Sequence, residues 1–494
     1  MSPTTLLLRG ARTYGSAAPK DLLLRDGLIE RIAPAGQLAA DGEQLDLDGR
    51  FVGPGLWDAH VHFTQWVTQR RRVDLSGTGG ATEALAVARQ ALDAGFPLTD
   101  GVLVGYGYRD GLWSDAVSLA AIDAAFGEQP VLLVNGDLHS AWMNSAAARR
   151  LQLQPGPDGV ARETEWIGTL QRFQEAAPLP LELFRATADA AAARGVVGIV
   201  DYENVLGVDE WADRVARGVT SLRVDASVWP DRLEELIARG LRTGDAADLE
   251  RDPEGLVRMG RLKVVVDGSL NTRTAFCWDP YPDVDPRGVH ACGVLSVPIE
   301  QLRGLLERAR ERGVEAAVHA IGDRANSEVL DTFAELGMGG IIEHAQLVRE
   351  QDFARFAELG LIASVQPEHA MDDRDIADRY WSGRTGRAFA FGSLHRAGAE
   401  LRLGSDAPVA PLDPWHAIAS AVSRSRGGRD AWHPEQTIPL EVALAASSRS
   451  TVAVGQPADL VVTDADPLAL DRDGLRAMPV AATLLGGRFT HRAL

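Results

Sequence analysis

Phe51-Val52-Gly53-Pro54-Gly55-Leu56-Trp57-Asp58-Ala59-His60-Val61-His62-Phe63 constrains this chain more than any other stretch. Gly53-Pro54-Gly55 reads as a turn feeding a strand that ends in two histidines. Alternate residues of a strand point to the same face, so His60 and His62 converge on one point. A His-x-His pair needs partners before it means metal, and the remaining chain is read for them.

With 494 residues, two domains are expected. Residues 4–55 read as short strands and tight turns (Leu6-Leu7-Leu8, Asp21–Leu24, Leu28–Ile32, Leu45–Leu47), and the end of the chain has the same texture (Ala458–Val462, Ala481–Leu485, Arg488–Thr490). The expectation is one β-sandwich domain from residues 1–55 plus 450–494, with residues 56–449 inserted between its halves. That middle alternates strands with amphipathic helices: Leu56–Phe63, Val131–Asn135, Val196–Tyr202, Ser221–Val228, Leu262–Val266, Val314–His319, Gly340–His344, Leu361–Gln366 and Leu401–Leu403. The pattern predicts an α/β fold, a distorted (β/α)8 TIM barrel, whose chemistry sits at the C-terminal ends of the strands. Residues 65–190 read as a long insertion after the first barrel strand. In it, Gly105-Tyr106-Gly107-Tyr108 reads either as a packed loop or as an aromatic wall, with Tyr108 against a substrate.

The predicted strand ends carry metal-competent side chains: His60 and His62, Lys263, His319, His344 and Asp406. Histidines and a carboxylate suit zinc or a similar divalent ion. Lysine occurs only at positions 20 and 263, and Lys263 stands inside Leu-Lys-Val-Val-Val. A buried ammonium is unfavourable unless paired or neutralised. Carboxylation by CO2 would turn Lys263 into a carbamate able to bridge two ions. Two such ions about 3.5–4 Å apart activate water and polarise a carbonyl, and Asp406 is placed to handle the water's proton. His369, after a strand in Gln366-Pro367-Glu368-His369, reads either as a pocket residue or as a loop residue. Arg273 and Arg324 read either as holders of an acidic substrate or as partners of Asp267 and Asp323.

These motifs resemble the amidohydrolase superfamily, and most closely its branch of N-substituted formamide deformylases and related amide hydrolases. The resemblance covers nearly the whole chain. It rests on Pro54–His62, Asp267-Gly268-Ser269-Leu270, His319-Ala320-Ile321-Gly322-Asp323, Ile342-Glu343-His344-Ala345-Gln346, Gly404-Ser405-Asp406-Ala407-Pro408 and Gly455–Val462. It implies a barrel plus a terminal β-sandwich. It implies one ion on His60, His62 and Asp406, a second on His319 and His344, and a carboxylated Lys263 between them. Asp137–Ser145 matches the branch's insertion, in which His139 and Asn144 read either as facing the substrate or as fixing a loop. Two stretches depart from the pattern: Asn271-Thr272 stands before Arg273, and Ala445–Val454 leaves a short last helix.

The expected function is hydrolysis of a non-peptide C–N bond in a linear amide, an N-acyl or N-formyl amine. One alternative is a mononuclear deaminase or cyclic-amide hydrolase on His60, His62, His319 and Asp406. A more distant one is a non-catalytic scaffold relative. A net charge of −19 argues against nucleic acid and anionic membrane surfaces. No run approaches a membrane span or a signal peptide. Two cysteines, Cys277 and Cys292, point to free thiols and a cytoplasmic location. The expected partners are a small-molecule amide and, since the family often pairs, a second copy as a homodimer.

Overall fold

A computed structural model describes residues 5–110, 113, 115–136, 140–162, 179–203, 207–282 and 284–494. The chain forms two compact units, Met1–Phe63 with Arg185–Leu494, and Thr64–Phe184.

In the first unit the chain ends pair directly. Phe51–Pro54 lies antiparallel to Leu460–Thr463, with Val52 opposite Val462, inside an eight-stranded terminal sheet. Hairpins build its flanks. Between Lys20–Arg25 and Leu28–Pro34 the turn is Asp26-Gly27, both at positive φ, the geometry whose twist matches paired strands. Leu6, Leu8, Leu22, Leu24, Val52, Leu460, Val462 and Leu484 make one buried core from both halves of the sheet.

The barrel follows. Its strands are β1 (Leu56–Val61), β2 (Val196–Asp201), β3 (Arg223–Val228), β4 (Val257–Val265), β5 (Ala316–Ala320), β6 (Gly340–His344), β7 (Leu361–Val365) and β8 (Glu400–Leu403). Each pairs in parallel with the next in this order, and β1 pairs with β2. The seam between β8 and β1 is closed by the segment after β8: His62 N–H donates to Ala407 O (2.8 Å) and Asp406 N–H to His60 O (2.8 Å). A side chain at Gly404 would not fit this seam, because its Cβ would lie 2.7 Å from His60 N and 2.8 Å from His60 Cβ. The last barrel helix, Leu440–Ala446, is short and buries Ala443 and Ala446.

The second unit holds a five-stranded sheet in the order Val160–Arg162, Ser140–Met143, Val131–Asn135, Leu103–Tyr108, Val73–Asp74. The Gly-Tyr-Gly-Tyr run is therefore a strand and not a loop. Gly105 is required there by close packing, since a Cβ would come within 2.8 Å of Leu75 and Leu133 side chains. No helix among the described residues is long and apolar enough to cross a membrane.

Candidate metal centre

The strand-end side chains of the barrel meet. His60 Nε2 and His62 Nε2 each lie 3.5 Å from Asp406 Oδ1. The His344 ring stands 4.9 Å from that of His60 and 4.4 Å from that of His319, centre to centre. The registers explain the gathering, since Val265 pairs with His319 and Ala320 with His344. His344 and Asp406 both take positive φ (73° and 56°), sparsely populated for residues with a Cβ and typical of functional sites. His60 is sealed at 1% side-chain exposure, while His62 at 22% and His319 at 13% keep an open side.

Lys263 is buried, and its Nζ has no hydrogen-bond partner; it lies 4.4 Å from the centre of the Tyr202 ring. Burial pulls its pKa down, against the opposing pull of Glu343 and Asp406. Three imidazole nitrogens of the same group also have no hydrogen-bond partner among the described residues: His319 Nε2, His344 Nδ1 and His369 Nε2. Burial, and after it the Lys263 charge, lowers His62 and His319 to about 3 and holds His60 well below its usual value. Burial and then the neighbouring His319 and His60 do the same to His344. Neutral imidazoles offer lone pairs, the form a metal needs. Ligand atoms of His60, His344 and Asp406 all fall within 4.8 Å of one another. Partnerless buried nitrogens around a buried carboxylate are what a divalent cation satisfies, so the donor set fits such an ion.

Carboxylates that were not among the expected ligands brace this group. Asp58 Oδ1 accepts from His60 N (3.1 Å) and Ser405 N (2.9 Å), tying β1 to the turn after β8. Asp267 accepts from Phe276 N, Ile321 N and Gly322 N, and its Oδ1 lies 3.4 Å from His319 Nε2. Burial raises Asp58 to about 6 and Asp267 to about 7. Glu343, fully buried, accepts from the Tyr202 hydroxyl (2.7 Å) and contacts His60 Nδ1 (2.6 Å). Asp58, Asp267 and Glu343 each stand in a stretch that carried the resemblance, but nothing in those stretches marks which groups they hold.

The expected substrate residues divide. His369 joins the centre: its Nε2 is 3.8 Å from Asp406 Oδ2 and its ring stacks on His344 at 6.2 Å. Arg273 is exposed on the turn after β4, its guanidinium 5.6 Å from the centre of the Tyr380 ring. That turn is fixed at both sides. Phe276 N–H donates to Asp267, and Asn271 Nδ2 to Asp373, just past the helix Pro367–Asp372 that carries His369. Neither arginine pairs as the sequence allowed: Arg324 bonds Glu328, and Arg387 takes Asp323.

Two expectations are corrected. Tyr108 is fully buried in the insertion's own core, its ring 5.2 Å from Trp113 and 6.5 Å from Trp142. Asn144 is fully buried with its amide given to backbone: Oδ1 accepts from Val131 N and Ala147 N, and Nδ2 donates to Gly127 O and Gln129 O. Such a residue caps the helix Ser145–Leu151 and has nothing left for a substrate. Asn144→Ala is expected to destabilise the protein by about 1–3 kcal/mol, because it strands four backbone groups. Urea unfolding of the purified variant measures this, and an unchanged midpoint would contradict the assignment. His139 lies outside the described residues.

A sequence profile described as "Amidohydrolase family" matches residues 43–491. The chain is 27% identical to the Bacillus subtilis protein YtcJ, an amidohydrolase by name, over 99% of this chain and 97% of that one. It is 23% identical to the N-substituted formamide deformylase of Arthrobacter pascens, over 92% and 90% of the two chains. A crystal structure of an uncharacterised metal-dependent hydrolase from Pyrococcus horikoshii superposes with a TM-score of 0.77 at 25% identity, covering 95% of this chain and 99% of that one.

Proposed function

The chain belongs to the amidohydrolase family, and from that membership we propose that it hydrolyses the C–N bond of a linear amide, an N-acyl or N-formyl amine. The observation that carries the reading is the cluster of His60, His62, His344 and His369 around Asp406, with the buried Nζ of Lys263, which has no hydrogen-bond partner, linked to it electrostatically. Similarity to a formamide deformylase along nine-tenths of the chain supports the linear-amide class.

In this reading His60, His62 and Asp406 hold one divalent ion and His319 and His344 a second, both zinc by the nitrogen-rich donor set. Lys263, carboxylated by CO2, would offer these ions carbamate oxygens in place of a buried ammonium that has no hydrogen-bond partner. When bound, such ions lower the pKa of water and polarise the scissile carbonyl. Asp406 takes the proton of the attacking water on a carboxylate oxygen and delivers it to the leaving amine nitrogen. His369, beside Asp406, orients the amide through Nε2, and Arg273 meets the substrate's outer part at the rim.

The experiment is amine release from a panel of N-formyl and N-acyl amines, run beside cyclic amides and aminated rings, with protein reconstituted in zinc and bicarbonate. Turnover of linear members is the expected result. Turnover confined to cyclic amides or to ring deamination would overturn the substrate class. Dialysis against a chelator is expected to abolish the activity and added zinc to restore it; full activity after metal removal would contradict the metal-dependent reading.

A further inference from the structure

Glu343 sits on β6 beside a proposed ligand, and its carboxylate is shut off from solvent. One oxygen, Oε1, accepts from the Tyr202 hydroxyl at 2.7 Å, and the other, Oε2, lies 2.6 Å from His60 Nδ1. All three side chains are buried. A phenol has one proton to give and a carboxylate only accepts, so Tyr202 commits Oε1 and leaves Oε2 for the imidazole. A second acceptor at 2.6 Å from Oε2 would be repulsive. With Glu343 ionised, His60 Nδ1 carries the proton and leaves its lone pair on Nε2, the atom 3.5 Å from Asp406. Tyr202 has two further contacts that fix its place: its ring edge meets His60 at 4.6 Å, and its face lies 4.4 Å from Lys263 Nζ.

We infer that Glu343 and Tyr202 are positioning residues that set the tautomer and ring angle of His60, making Nε2 a metal donor. This rests on the metal-centre reading above. The shell around a ligating histidine of this kind tunes metal affinity by about 10–100-fold when it is removed. Neither residue touches a substrate, so the effect should fall on the ion before it falls on turnover.

The test is zinc affinity by chelator competition, together with the visible absorption spectrum of the cobalt-substituted protein, for wild type, Glu343→Ala, Glu343→Gln and Tyr202→Phe. Glu343→Ala is expected to weaken zinc about 10–100-fold and to shift the cobalt bands. Glu343→Gln still offers His60 an oxygen while its NH2 group faces the phenol oxygen, so it should recover part of the loss. Tyr202→Phe keeps volume and fold while removing one hydrogen bond, and should weaken zinc about 2–10-fold. It keeps the inference testable if Glu343→Ala fails to fold. Wild-type affinity and an unshifted cobalt spectrum in Tyr202→Phe and Glu343→Gln would overturn the inference and leave the proposed function standing. A wild-type protein that binds neither zinc nor cobalt would overturn both.

Discussion

Lys263→Ala is expected to strip bound divalent ions from the protein and to lower kcat/KM by on the order of 10³ or more. The magnitude follows from the several kcal/mol that an ion contributes to a transition state, at tenfold in rate per 1.36 kcal/mol. The structure makes the substitution specific. Lys263 pairs in register with Ala317 on β5 and has no hydrogen bond to lose. Its removal leaves the backbone of β4 unchanged; it takes away the atom on which a carbamate forms and the contact with the Tyr202 ring, and it opens a cavity where the buried alkyl chain stood. A short carboxylate such as acetate, supplied in excess, should restore part of the metal binding because it provides the missing pair of oxygens. Elemental analysis and steady-state kinetics on the variant measure both effects. A variant that keeps its ions and its rate would remove Lys263 from the centre.

Asp406→Asn should lower kcat by about 10²–10⁴, the usual contribution of a positioned proton acceptor and donor, while most of the bound metal stays. The position tolerates the change. Its backbone is held by Asp406 N–H to His60 O and by Val409 N–H to Asp406 O, independently of the side chain. Its φ of 56° is one that asparagine adopts readily. The amide oxygen can still face an ion, but the group no longer accepts a proton. Retained turnover in this variant would sink the assigned role.

What was legible in the sequence were features with a local cause. The barrel strands carry chemistry at or just past their ends, so His319, His344 and Asp406 were marked by where each strand stopped, and Lys263 by standing as a charge inside an apolar run. The pairing of the chain ends was legible from matching strand texture. The insertion's sheet was not, because Val73–Asp74, Ser140–Met143 and Val160–Arg162 are two to four residues long, too short for alternation to register. Tyr108 misled for a related reason: a Gly-Tyr alternation looks the same on a solvent-facing wall and in a core. Asn144 was placed by resemblance, and its four backbone contacts depend on residues up to 17 positions away. Glu343 stood in a motif already singled out, yet its role depends on Tyr202, 141 residues away, and His60, 283 away. No spacing within the sequence expresses that meeting.

The most direct test of the account is the metal content per chain of protein purified without chelator and with bicarbonate present, measured by elemental analysis. The account predicts about two divalent ions per chain in the wild type. About one ion, unchanged by Lys263→Ala, would contradict the bridged centre and turn the search to mononuclear chemistry on cyclic substrates.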